Sequence, residues 1–345
     1  MYKQFYGLRD IPFSLAPDPK YLFRTESLLE VFANLQYGIE NGKGIVVVTG
    51  EVGTGKTTTL RFMLQSLDRS VSAAYIFNPI LSTAEFFDLL AGEFGLPAQE
   101  SKSAMLRALG NMLISRHSQG LRTVLIVDEA HLLPPHLLEE IRLLSNFETN
   151  REKLLQIILC GQPELHELLV KPELRQLKQR VSLKCSIIAL TSHETGEYIR
   201  WRLRIAGCTD ESLFDQAAVE SVHRFSDGIP RIINNICDNA LLTGFSEDSQ
   251  KITGAIIDSV VEDLDLTSVS HSSKTMSEVI TNRPVENKHR PVPSNICYIR
   301  RTIEAPVRKP LKAAVGQGQY FINSKKERQP ETAMTFFSRV KVSKS

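Results

Sequence analysis

Gly50-Glu51-Val52-Gly53-Thr54-Gly55-Lys56-Thr57 follows the spacing G-x-x-x-x-G-K-[ST]. Its glycines let a backbone wrap tightly, so that successive N–H groups converge on phosphate oxygens, and a helix starting behind the loop adds a favourable dipole. In such a loop Lys56 bridges the β- and γ-phosphates and the Thr57 hydroxyl coordinates Mg2+. Gly50, Glu51, Val52, Gly53, Thr54, Gly55, Lys56, Thr57 and Thr58 are therefore the candidate nucleotide-binding residues, with ATP and Mg2+ the expected ligands. A second constellation is Val124-Leu125-Ile126-Val127-Asp128-Glu129, an apolar run ending in two carboxylates. At the C-terminal edge of a parallel sheet such residues face the ligand crevice. Asp128 is the candidate Mg2+ ligand, directly or through water, and Glu129 the candidate to polarise an attacking water. The competing reading of the pair is an acidic helix start. Asp128-Glu129-Ala130-His131 also spells the DEAH box of certain helicases. Those enzymes need two tandem motor domains and no second one fits here, so His131 is read as a residue behind the site or on the surface.

Both constellations need strands to aim them. Near-continuous apolar runs at 45–49, 73–77, 123–127 and 155–160, with a fifth strand at 184–188, read as strands covered on both faces. Helical patterns lie between them. A helix at 57–67 follows the phosphate loop, and another runs through Leu137, Leu138, Ile141 and Leu144 behind Pro134-Pro135. This alternation predicts an α/β fold with a parallel, doubly wound sheet. Past residue 190 the strands stop. Thr191-x-x-Glu194 has capping-box spacing, and four amphipathic helices in series predict a small helical domain.

Of the 345 residues, 42% are hydrophobic and 23% charged, which excludes a wholly disordered or low-complexity chain. The longest clean apolar run, Ile45-Val46-Val47-Val48, is far short of the roughly 20 residues that span a bilayer. The N-terminus lacks the basic-then-apolar build of a signal peptide. Five scattered cysteines (Cys160, Cys185, Cys208, Cys237 and Cys297) suit a reducing compartment. The net charge of +2 hides an asymmetry. Positions 267–345 hold 15 Lys and Arg against 5 Glu, leaving 26 basic and 34 acidic residues in positions 1–266. The expected layout is an N-terminal linker and first helix (1–40), an α/β core (41–190), a helical lid (191–266) and a basic, disordered tail (267–345), with Tyr298-Ile299 and Phe336-Phe337 as isolated apolar spots. The tail could hold an anionic membrane surface or nucleic acid.

Taken in order, several segments resemble the ExeA-type AAA+ ATPases, the general secretion pathway protein A family. They are Phe5-Tyr6-Gly7-Leu8 with Pro12-Phe13-Ser14-Leu15, the phosphate loop, Asp128-Glu129-Ala130, Leu144-Ser145-Asn146-Phe147-Glu148-Thr149, Leu159-Cys160-Gly161-Gln162-Pro163-Glu164-Leu165, Gln179-Arg180-Val181 and Gly228-Ile229-Pro230-Arg231. The resemblance covers about residues 1–266. It implies an AAA+ P-loop fold with a five-stranded parallel sheet and a small helical lid. It also implies ATP hydrolysis, a ring-type homo-oligomer, and partners in a secretion, pilus or exopolysaccharide export apparatus. Site roles follow from it. Gln162 occupies the sensor-1 position, with a loop-capping amide as the other reading. Asn78 is the candidate glutamate switch, or an Asn-Pro turn. Arg231 is the sensor-2 arginine. Arg180 is the arginine supplied to a neighbour's site, with Arg175 its rival and a surface salt bridge the plainer alternative. Fuller members continue into a membrane span and a peptidoglycan-binding domain, neither of which is expected here, so a cytoplasmic protein, or one peripheral at the inner membrane, is anticipated. The alternative is a DNA-dependent ATPase of the transposition or initiator kind.

Overall fold

The computed structural model describes residues 1–16, 18–68, 70–77 and 80–266. Asn78 and the whole basic tail, with its two apolar spots, lie outside the described residues. Five strands, β1 (Ile45–Gly50), β2 (Val71–Ile76), β3 (Arg122–Val127), β4 (Gln156–Gly161) and β5 (Val181–Ile187), form one sheet in the order β2-β3-β4-β1-β5. All four strand pairings are parallel. Strand β1, between β4 and the edge strand β5, sets Val47 opposite Leu159 on one side and Lys184 on the other. Every residue of β1 and β4 is buried, which is why both read as unbroken apolar runs, whereas edge strand β5 alternates.

Helices cover both faces. On one side Ile45, Val47, Leu125, Val127, Ile157 and Leu159 meet α4 (Thr83–Glu93), α5 (Lys102–Ser118) and α6 (Pro135–Leu144). On the other, Val46, Val48, Val124, Ile126, Ile158 and Cys160 meet α2 (Glu26–Glu40) and α3 (Lys56–Ser66). Successive residues of a strand thus serve opposite cores, as a period of two requires, and each fully buried aliphatic contributes roughly 1.5–3 kcal/mol. Short helices α7 (Glu164–Val170) and α8 (Arg175–Arg180) carry the chain from β4 to β5.

Beyond β5, α9 (Ser192–Ile205), α10 (Gln216–Ser226), α11 (Pro230–Ser246) and α12 (Gly254–Asp263) build the helical domain. Thr191 and Glu194 form the capping box their spacing predicts, Glu194 N–H donating to Thr191 Oγ1 and Thr191 N–H to Glu194 Oε2. One placement departs from the expected linker. The N-terminal turn α1 (Tyr2–Phe5) and the chain after it pack into the helical domain's core, burying Tyr6, Leu8 and Phe13 among its helices. Arg9 N–H donates to Ala206 O at 2.7 Å, and Tyr6 OH to Ser249 O at 3.0 Å. Apolar residues at 5, 6, 8 and 13 have no helical or strand period, so only tertiary packing reveals their role.

The sheet and the helical domain meet where β5 hands over to α9. Leu190 N–H donates to Gly228 O at 2.9 Å. Gly228 has φ +72, and a Cβ there would lie 1.9 Å from Leu190 O, so both the backbone angle and the approach demand glycine.

Candidate nucleotide site

The loop between β1 and α3 turns back over the end of the sheet. Lys56 is only 6% exposed, and its Nζ donates to Gly50 O at 2.8 Å and Glu51 O at 3.1 Å. Thr54 Oγ1 donates to Glu51 O at 2.9 Å, which ties the loop to itself. Gly53 has φ +85, and a Cβ there would lie 2.7 Å from the Arg231 Cβ. Arg231 N–H donates to Gly53 O at 3.2 Å. The phosphate loop and the first turn of α11 therefore touch backbone to backbone.

Across the sheet edge, Asp128 follows β3 and is 2% exposed. Three donors from three places hold it. Thr57 Oγ1 reaches Oδ2 at 2.9 Å, Tyr75 OH reaches the same oxygen at 2.8 Å, and Glu129 N–H reaches Oδ1 at 2.9 Å. Burial, and next the Asp128 charge, raise the Tyr75 phenol far above its usual range, so it remains a donor. Burial likewise pushes the neighbouring Cys160 thiol up. The Thr57 hydroxyl and Asp128 carboxylate form a hard-oxygen pair that fits Mg2+, an ion that takes few protein ligands. Glu129 follows in a left-handed conformation, φ 50 and ψ 36.

A cavity of about 370 Å3 runs from this edge to the helical domain. The phosphate loop, Glu129, Gln162 and Arg231 line it, together with Tyr21, Phe23, Tyr198, Arg202 and Asn234. Arg202 is nearly buried. Its Nη1 donates to Tyr198 OH at 2.8 Å, its Nη2 to Ser14 O at 3.2 Å, and its guanidinium lies 4.6 Å from the Tyr21 ring centre. Tyr198 OH in turn donates to Asn234 Oδ1 at 2.9 Å. The lining thus combines the Lys56, Arg202 and Arg231 cations with aromatic side chains and a few fixed polar atoms. That combination suits a phosphate chain carried by an aromatic base.

Comparison with known proteins bears on the family and the fold. Residues 39–169 match the AAA domain family. The chain is 45% identical over 256 residues to General secretion pathway protein A of Aeromonas hydrophila, covering 73% of this chain and 46% of that protein. The chain carries an AAA domain. It resembles the general secretion pathway protein A type and spans about half the length of that relative. Among solved structures, Cdc6p of Pyrobaculum aerophilum superposes with a TM-score of 0.54 at 15% identity, over 76% of this chain and 70% of the other. Drosophila ORC, solved bound to DNA, superposes with a TM-score of 0.53 at 17% identity, over 74% and 66%. At those identities the likeness is one of fold, and it agrees with the parallel five-stranded sheet.

The remaining predicted site residues fall into two groups. Gln162, just past β4, and Arg231 face the cavity beside Glu129. Arg175 and Arg180 do not. They bound α8, before β5 begins, at the sheet edge opposite the phosphate loop. Arg175 is exposed, and Arg180 Nη1 donates to Ser145 Oγ at 3.3 Å. Sequence reasoning missed Tyr75, Tyr198, Arg202, Asn234 and the segment around Tyr21. One signal was present: Arg202 sits among Tyr198, Ile199 and Leu203 on the apolar face of α9, and a cation there needs partners. Among the described residues no helix is long and apolar enough to cross a membrane.

Proposed function

We propose that this protein binds ATP with Mg2+ between the sheet edge and the helical domain, and couples hydrolysis to assembly or remodelling of a secretion, pilus or exopolysaccharide export apparatus. The observation that carries the chemistry is the 2.9 Å hydrogen bond from Thr57 to Asp128. It brings the phosphate-loop hydroxyl and the strand-end carboxylate together, at the residue that follows Lys56. The relationship to General secretion pathway protein A supports the process.

In this reading the residues from Gly50 to Thr58 cradle the phosphates, and Lys56 neutralises them. Thr57 and Asp128 would hold Mg2+, which when bound would offset charge on the β- and γ-phosphates. Glu129 orients and deprotonates the attacking water, Gln162 fixes its direction, and Arg231 contacts the γ-phosphate from the helical domain. Arg180 reaches the site of a neighbouring copy, so the assembly is head-to-tail and closes into a ring.

The test pairs equilibrium ATP binding with steady-state phosphate release. Lys56→Ala should lose binding, because it removes the loop's side-chain cation. Glu129→Gln should bind ATP as before but release phosphate at least roughly a hundredfold more slowly, the general base being worth about 10²–10⁴ in rate. Wild-type affinity in the first, or wild-type turnover in the second, overturns the assignment. Stimulation of turnover by DNA would favour a nucleic-acid-directed ATPase instead.

A further inference from the structure

His131 spells the last letter of a helicase motif that the fold does not use, yet its ring is far from idle. The 3-10 turn Ala130–Leu132 follows the left-handed Glu129, with Leu132 N–H donating back to Glu129 O at 2.9 Å. This turn folds His131 inward until its side chain is only 10% exposed. The ring lies hard against the end of β4: a Cβ on Gly161 would be 3.1 Å from His131 N and 3.3 Å from Nδ1. Gln162 N–H donates to His131 Nδ1 at 3.4 Å. On its other side the same nitrogen lies 3.4 Å from Glu129 Oε2.

That second contact is not a hydrogen bond. Nδ1 already accepts from Gln162, so the ring proton belongs on Nε2 and Nδ1 has none to offer. Accordingly Glu129 Oε2 is buried with no hydrogen-bond partner, an unfavourable position for a carboxylate oxygen. The arrangement holds Glu129 against a wall it gains little from, and the wall is pinned by the backbone of a residue that lines the same cavity.

We propose that His131 is a positioning residue linking Gln162 to Glu129. Gln162 N–H fixes the ring through Nδ1, and the ring fixes the place of the Glu129 carboxylate, whose Oε2 is kept without a protein donor and so stays available to the attacking water. This rests on the reading of Glu129 as the general base. It adds what holds that base in place.

The experiment is kcat and KM for ATP in His131→Phe, His131→Leu and His131→Asn, beside melting curves and equilibrium ATP binding. Phe keeps the ring's bulk without its acceptor, and Leu serves if Phe does not fold. Asn returns an acceptor oxygen near the Nδ1 position. The apolar variants should lose roughly ten- to a hundredfold in kcat, the scale of a slightly misplaced reacting group, with KM and affinity within about twofold. His131→Asn should recover most of the loss. Combining His131→Phe with Glu129→Gln should add no further loss, because both act at one step. Wild-type kcat in the apolar variants, an Asn variant no better than Phe, or additive losses in the double variant would each overturn the link. Wild-type turnover in Glu129→Gln alone would instead overturn the general-base reading, so the two failures are separable.

Discussion

Asp128 shows how a single carboxylate is aimed. Two hydroxyls share Oδ2, one from the phosphate loop's helix and one from β2, while its neighbour's N–H takes Oδ1. Removing Tyr75 OH frees the carboxylate to turn without touching any residue that reaches the phosphates. Tyr75→Phe should therefore leave ATP affinity unchanged in the absence of metal and weaken Mg2+ activation about tenfold, the usual cost of losing a partner behind a metal ligand. A Mg2+ titration of turnover checks this, and an unmoved midpoint refutes it. Spacing alone made Lys56, Thr57, Asp128 and Glu129 legible, because each sits at a fixed offset from a buried strand. Tyr75 carried no such mark. It is one of six residues in a strand, and only the β2–β3 register, with Tyr75 opposite Ile126, brings its hydroxyl to the end of β3. Arg202 was half legible, since its place on an apolar helix face implied partners that the primary sequence could not name.

At the scale of elements, the contact between the phosphate loop and α11 depends on glycines on each side of it. Gly53 admits Arg231, and Gly228 lets the helical domain's chain pass Leu190. The five strands, α3, α6 and the four helices of the helical domain followed from periodicity and motif placement, with ends shifted by a few residues, whereas α4, α5, α7 and α8 were not singled out. Their docking did not, because it rests on backbone approaches that leave only a glycine in the sequence. Gly228→Ala should cost at least ~2 kcal/mol, from the left-handed angle together with the clash on Leu190 O. It should also weaken ATP binding by pulling Arg231 away from Gly53. Gly92 in α4 is the control, since a Cβ there meets nothing within 4 Å. Gly92→Ala should hold or raise stability, by up to ~1 kcal/mol for a helix interior. Denaturant melts read both, and equal melting points would contradict the docking argument.

For the whole molecule the informative quantity is how charge and apolar density divide along the chain. Among the described residues the packed cores reach Val261, Leu264 and Leu266 on and after α12. Positions 267–345 hold 15 of the chain's 41 Lys and Arg, while positions 1–266 carry an acidic excess. Removing residues 267–345 should leave the melting point and ATP affinity nearly unchanged, since their sequence lacks the apolar density to offset its ordering entropy. What should change is attachment. Near an anionic surface each Lys or Arg contributes about 1 kcal/mol and loses that within a Debye length as salt rises. The full chain should sediment with anionic vesicles at low salt and release them at high salt, whereas the 1–266 chain should stay in the supernatant throughout. DNA in place of vesicles reports whether the charge is read as a membrane anchor or as a phosphate clamp. Loss of folding in the truncated chain would move the end of the helical domain past residue 266. Unchanged sedimentation would assign attachment to the folded part instead.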